Sequence, residues 1–158
     1  MIYKFNEMKA LSDVCEEMTI KYLGKYNARK GPAFKRGTHP VDVIVEYNGT
    51  EYGLEVKRDA YSKKSHNVAF EEKALTSVAK YGGTHVIYYI DDTAEIFCFK
   101  LEGLLDELKN KKYKYIHCGN GKDNMNWIVP IKELKQLNNF IGQVDNQAWL
   151  AEYRELIK

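Results

Sequence analysis

His39-Pro40-Val41-Asp42-Val43-Ile44-Val45-Glu46-Tyr47, then Asn48-Gly49, then Thr50-Glu51-Tyr52-Gly53-Leu54-Glu55-Val56-Lys57 is the stretch that decides how this chain folds. Asn-Gly between two runs rich in β-branched and aromatic residues is the strongest short-range hairpin signal, because both residues tolerate the positive φ of a type I′ turn. A two-residue turn pairs Tyr47 with Thr50, and counting back along both strands sets Asp42 opposite Glu55 and Pro40 opposite Lys57. Side chains opposed in this way have Cβ atoms roughly 4.5–5.5 Å apart. Alternation puts Glu55 and Lys57 on one face of the hairpin and Tyr52, Leu54 and Val56 on the other. Two carboxylates and an ammonium thus share a small area.

Like charges directly opposite one another destabilise a sheet, and carboxylates sharing a site raise one another's pKa. A divalent cation removes that cost, and Mg²⁺ in particular is held by one or two carboxylates while it keeps waters and phosphate oxygens. Lys57 is placed to orient or deprotonate one of those waters. Glu46 opposite Glu51 reads differently, as a pair of solvated charges. Val43, Ile44, Val45, Leu54 and Val56 imply that the strand pair is buried on at least one side.

A chain of 158 residues suits one domain and is long enough to bury a core. With 44% hydrophobic and 29% charged residues it has the composition of an ordinary soluble protein. A net charge of +2 is too small to argue for nucleic acid without clustering. No apolar run reaches the ~18 residues of a membrane span and no signal-peptide core is present, so a cytoplasmic protein with no membrane partner is expected. Cys15, Cys98 and Cys118 are odd in number and form no CxxC pair, which supports reduced thiols rather than a disulfide framework or a zinc site. The 12 tyrosines and many Lys and Asn residues fit an AT-rich genome, of a bacterium or its phage, and say nothing of function.

Outside the hairpin, apolar residues Leu11, Val14, Cys15, Met18, Tyr22 and Leu23 recur at helical spacing between Glu7 and Gly24. Residues 25–40 read as a loop. Residues 68–81 form a helix with Val68, Leu75, Val78 and Ala79 inward, or begin as a strand over Val68 to Glu71. Strands follow over Thr84 to Ile90 and Ala94 to Phe99, then a helix over Leu101 to Lys111 with Leu104, Leu105 and Leu108 inward. Short strands are expected at Tyr113 to His117 and Trp127 to Pro130, with a helix near Ile131 to Leu137. Asp145 serves as N-cap of a last helix.

At Pro40-Val41-Asp42 and Glu55-Val56-Lys57 the chain resembles the PD-(D/E)XK nuclease superfamily, and among its members archaeal-type Holliday-junction resolvases and small phage or prophage endonucleases. Cys15-Glu16-Glu17-Met18-Thr19-Ile20-Lys21-Tyr22-Leu23 matches the helix that supplies a further Glu in those families. Val68 to Gly83, followed by Thr84 to Ile90, matches their helix, Gly-Gly and strand. The resemblance covers roughly residues 10–100. It implies an α/β fold with a restriction-endonuclease-like core of order α-β-β-α-β-β, whose central mixed sheet is flanked by helices. One nuclease-like domain over 1–158 is expected, with its core at about 7–100 and an extension over 101–158.

The same resemblance implies a metal-dependent endonuclease that hydrolyses phosphodiester bonds of DNA, branched or junction DNA included, with Mg²⁺ or Mn²⁺ as cofactor. Asp42 and Glu55 would hold the metal with the backbone carbonyl of Val56, Lys57 would position the attacking water, and Glu16 would hold a further water or a second ion. On the helical wheel alone Glu16 and Glu17 both fall on the flank; only the family alignment selects Glu16. Resolvases of the family are dimers, so a homodimer is expected, and no nucleotide cofactor is. The competing reading is a nucleic-acid-binding module of a larger recombination, defence or phage complex that does not cut.

Two basic segments flank the hairpin: Arg29, Lys30, Lys35 and Arg36 before it, and Arg58, Lys63 and Lys64 after Lys57. Both emerge at the Asp42 and Lys57 end, where converging cations suit a phosphodiester backbone. His66, Asn67 and Glu71 follow closely enough to assist the site. Lys109-Asn110-Lys111-Lys112-Tyr113-Lys114 is a third basic run, read as compensation of a helix dipole and as solubility.

Overall fold

The structure is a computed structural model that describes residues 5–32, 41–118 and 124–158, with side chains from Asp13 onward. The hairpin forms in the register that its turn dictates. Asn48 (φ 51°) and Gly49 (φ 80°) are both left-handed, and the ladder runs from Tyr47–Thr50 to Val43–Leu54. Its strands are β2 (Val43–Tyr47) and β3 (Thr50–Asp59), preceded by helix α1 (Phe5–Tyr22).

β3 continues in parallel with β5 (Gly83–Ile90), which pairs antiparallel with β6 (Glu95–Lys100). A parallel neighbour needs a crossover. Here it contains α2 (Ser62–Ser65), β4 (Asn67–Glu71) and α3 (Glu72–Lys80). A mixed sheet in an α/β chain results, as the resemblance implies.

Several elements differ from expectation. Within residues 25–40, Arg29–Lys30 forms a short strand, β1, against Ile44 and Val43; residues 33–40 lie outside the described residues. Val68 to Glu71 takes the strand alternative, as part of β4, because β8 (Met125–Pro130) supplies a partner far along the chain. With α3 starting at Glu72, its wheel centres on Leu75 and Val78, and Ala79 is exposed. The helix expected from Leu101 starts later, as α4 (Leu104–Asn110) after Gly103 at φ 79°. Ile131–Gln136 is a 3-10 helix, not an α-helix. The cap of α5 (Gln147–Leu156) is Asn146 rather than Asp145, since the Asn146 carboxamide oxygen accepts the Trp149 N–H at 3.1 Å.

Residues beyond 100 belong to both sheets. β9 (Phe140–Gln143), not foreseen from the sequence, completes a six-stranded sheet of order β1-β2-β3-β5-β6-β9. β7 (Lys114–His117) and β8 join β4 in a three-stranded sheet of order β4-β8-β7. Each face of the large sheet carries its own core. On one side Val43, Val45, Leu54 and Val56 pack with Cys15 and Met18 of α1 and with Trp149, Leu150 and Tyr153 of α5. On the other, Val86, Tyr88 and Phe99 pack with Val68, Phe70, Leu75, Leu104, Leu108 and Trp127.

Candidate active site

Asp42 is fixed from three directions. Its carbonyl accepts the Gly31 N–H at 3.0 Å, its N–H donates to the Leu54 carbonyl at 3.1 Å, and its Oδ2 accepts the Val56 N–H at 2.8 Å. Gly31 is required for this approach, since a Cβ there would lie 2.0 Å from the Val41 carbonyl oxygen. Here the expected geometry needs correction: the regular ladder ends at Val43–Leu54, so Asp42 is not a paired strand residue opposite Glu55. Its amide bonds to Leu54 one residue early, and its carboxylate takes the place of a backbone acceptor for Val56. The carboxylate still reaches Glu55, which feels both its charge and its hydrogen bond.

Glu55 stands on β3 and is only 7% exposed. Lys57, two residues on and therefore on the same face, donates from Nζ to Glu55 Oε1 at 3.0 Å. Burial pushes the Glu55 carboxyl up to about 7; the Lys57 ammonium opposes the rise and the Asp42 carboxylate adds to it. Burial alone would lower the Lys57 pKa, but the charges of Glu55, Asp42 and Glu71 outweigh it and hold the ammonium above the ordinary lysine range. Among the described residues Lys57 is the one cation in ion-pair contact with Glu55. Hard carboxylate oxygens, one of them nine-tenths buried, fit a small divalent cation.

Other candidates are divided by the fold. Glu71 joins the set: it faces Lys57 electrostatically and shares with it a cavity of about 240 Å³. His66 is turned away, exposed and 3.0 Å from Asp92, and the Asn67 carboxamide closes a local turn on the Ser65 carbonyl at 2.9 Å. Glu17 lies in the groove between α1 and α5 beside Lys21 and Glu152, whereas Glu16 is half-buried on α1 next to Cys15. Among the described residues no third His, Cys, Asp or Glu completes a metal-holding cluster with Asp42 and Glu55. Asn126 of β8, which also lines the Lys57 cavity, was not anticipated. Nothing in the local sequence signals it, because only the β4–β8 pairing brings it there.

The basic residues around the hairpin are largely engaged elsewhere. Arg58 is a core ion pair rather than a phosphate contact: its Nε and Nη2 meet Asp91 Oδ1 and Oδ2 at 3.0 and 2.6 Å, with side chains 7% and 3% exposed. Strand alternation turns it to the face opposite Lys57, where Tyr153 also donates to Asp91 at 2.6 Å. Arg29 bridges Glu46 at 3.0 Å and Glu51 at 2.6 Å. That bond corrects the reading of those two glutamates as merely solvated. Lys63 donates to the Ile157 carbonyl at 3.1 Å. Lys30 and Lys64 are exposed, and Lys35 and Arg36 lie outside the described residues.

No protein-family model matches the sequence, and no curated protein matches it. Among solved structures, the chain is similar to Hjc, a Holliday junction resolvase from the archaeal hyperthermophile Archaeoglobus fulgidus, at 11% identity and a TM-score of 0.49, over 89% of this chain and 95% of that one. It is also similar to a nuclease from a fusselovirus, at 11% identity and a TM-score of 0.45, over 100% of this chain and 99% of that one.

Proposed function

We propose that this chain is a divalent-metal-dependent nuclease that hydrolyses phosphodiester bonds of DNA, its hydrolytic centre formed by Asp42, Glu55 and Lys57. One observation carries the reading: Glu55, 7% exposed, is set beside Asp42, with Lys57 the one cation in ion-pair contact among the described residues, and its carboxyl is pushed up to about 7. Burying this carboxylate pair carries a desolvation cost that a bound cation would offset. Asp42 and Glu55 would hold Mg²⁺ or Mn²⁺, with the Val56 carbonyl as a further oxygen, and Glu16 of α1 would hold a further water or a second ion. When bound, the ion acidifies water and offsets charge on the scissile phosphate.

The chain's own residues do the remainder. Lys57, an ammonium at neutral pH, donates from Nζ to the attacking water or to a phosphate oxygen. Glu55 must release its proton before it can serve as a ligand. Asp42, held by the Val56 N–H, keeps its position whether or not Glu55 is ionised. Two chains related by a two-fold axis would offer one such centre to each strand of a duplex or junction, which light scattering with and without DNA would test.

The experiment is incubation of supercoiled plasmid, single strands and a four-way junction with Mg²⁺, Mn²⁺ or EDTA. Cleavage in either metal, absent in EDTA and absent from Glu55→Ala, is expected. Undiminished cleavage in EDTA would exclude the metal mechanism. Binding of DNA without any cleavage would leave the non-cutting module.

A further inference from the structure

The three-stranded sheet has two unlike faces. Val68, Phe70, Trp127 and Val129 point into the core. On the other face, strand register puts Ala69, Ile128 and Lys114 in one row and Glu71, Asn126 and Ile116 in the next. At its β4 edge that face meets the hydrolytic centre, because Ala69, Glu71 and Asn126 line the same cavity as Lys57. At the other edge β7 has no further strand beside it among the described residues. Two strand spacings separate Ala69 from Lys114, about 10 Å.

The charge on this face is unbalanced. Lys114 stands on this face, and Lys109 at the end of α4 and Lys112 in the turn lead into β7; all three are exposed and make no ion pair among the described residues, whereas Lys111 between them is drawn to Glu107 at 3.5 Å. The carboxylate in those rows, Glu71, already faces Lys57. Half-buried Ile116 and Ile128 give the face an apolar floor between the cavity and the lysines. Arg29 and Arg58, which the sequence suggested for phosphate contact, are held in ion pairs.

We propose that this outer face is the surface on which a nucleic-acid strand lies as it leaves the hydrolytic centre. Lys109, Lys112 and Lys114 take its phosphates, and Asn126 presents its carboxamide to the sugar or base seated in the Lys57 cavity. The inference rests on the nuclease reading and names where its substrate runs. Phosphates match the unpaired ammonium groups, the isoleucines suit a sugar or base surface, and continuity with Lys57 fixes the direction.

The test is anisotropy of the full chain with fluorescein-labelled single-stranded and duplex DNA, in EDTA, across a salt series. The variants are Lys114→Glu, a triple Lys109→Glu/Lys112→Glu/Lys114→Glu, and Lys158→Glu beyond α5 on the far side of the large sheet. The triple variant should bind about tenfold more weakly or worse. Its slope of log affinity against log salt should fall by roughly 0.9 for each duplex phosphate left without its lysine, or by roughly 0.7 on a single strand. Lys114→Glu should show part of the loss and Lys158→Glu none. If wild type binds while the triple variant keeps the same affinity and slope, this surface is wrong and the nuclease reading stands. An equal loss in Lys158→Glu would reduce the effect to net charge and overturn the assignment too. Failure of wild type to bind either probe would overturn this surface, while the nuclease reading would still be decided by the cleavage assay with Mg²⁺ or Mn²⁺.

Discussion

The hairpin carries two acidic pairs across the same two strands, and the fold treats them in opposite ways. Near the turn, Glu46 faces Glu51, with side chains 42% and 60% exposed, and Arg29 from β1 bridges both. At the far end Asp42 meets Glu55, which is 7% exposed and has one lysine, itself shared with Asp42 and Glu71. The first pair is complete within the chain and has no use for a ligand. The second is buried at Glu55, with Lys57 as its one ion-pair partner among the described residues. Like-charge pairing alone therefore does not mark a site; burial of the carboxylate is what sets the second pair apart.

The largest expected contrast is in activity. Asp42→Ala, Glu55→Ala and Lys57→Ala should each slow cleavage by about 100-fold or more, whereas Arg29→Ala should stay close to wild type in the same plasmid assay. Comparable losses at Arg29 would abolish the distinction between the two pairs.

Stability against pH comes next. The Glu55 carboxyl is at about 7 in the fold against 4.5 ordinarily, so the fold favours its protonated form. The stability it contributes is fully present below about 4.5 and is lost as the pH rises through 7. That span corresponds to about 3 kcal/mol. Urea melts should find metal-free Glu55→Gln more stable than wild type above pH 7 and no different well below 4.5. A Glu55→Gln protein less stable at both ends would make Glu55 a structural residue.

A cation should reverse the wild-type loss. Mg²⁺ at about a hundred times its dissociation constant should stabilise wild type by about 2.7 kcal/mol and leave Glu55→Gln with little gain. Calorimetry should show its affinity rising through pH 7, with proton release, because Glu55 must deprotonate to bind. Affinity independent of pH would place the ion elsewhere.

The smallest effect belongs to the exposed pair. Arg29→Ala should cost about 1 kcal/mol in a urea melt, the usual worth of such ion pairs. Adding Glu51→Gln should recover part of it by removing the repulsion across the strands.

How far the site was legible varies from residue to residue. Asn48-Gly49 fixed the register, and period-two alternation then placed Glu55 and Lys57 together; neither needs information from elsewhere in the chain. Asp42 was legible as a neighbour of Glu55 but not as a partner of the Val56 N–H, because β1 and Gly31 draw its backbone out of the ladder. Arg58 was misread although its clue was local. Alternation turns it to the face of Leu54 and Val56, and a cation on a buried face needs a buried anion. Which anion was not legible: Asp91 reaches it only because β5 lies parallel to β3, setting Arg58 beside Tyr89.

The sequence by itself determined the hairpin, its turn type, the facing of Glu55 and Lys57, and the α/β class, because turn chemistry and side-chain periodicity act over a few residues. Tertiary structure alone decided which cations are available. Arg29 and Arg58 are claimed by Glu46, Glu51 and Asp91, while the β4-β8-β7 pairing carries Asn126 to Lys57 and leaves Lys114 open on the same face. A charge's partner is set by proximity in space, and strand pairing joins segments that no local pattern relates.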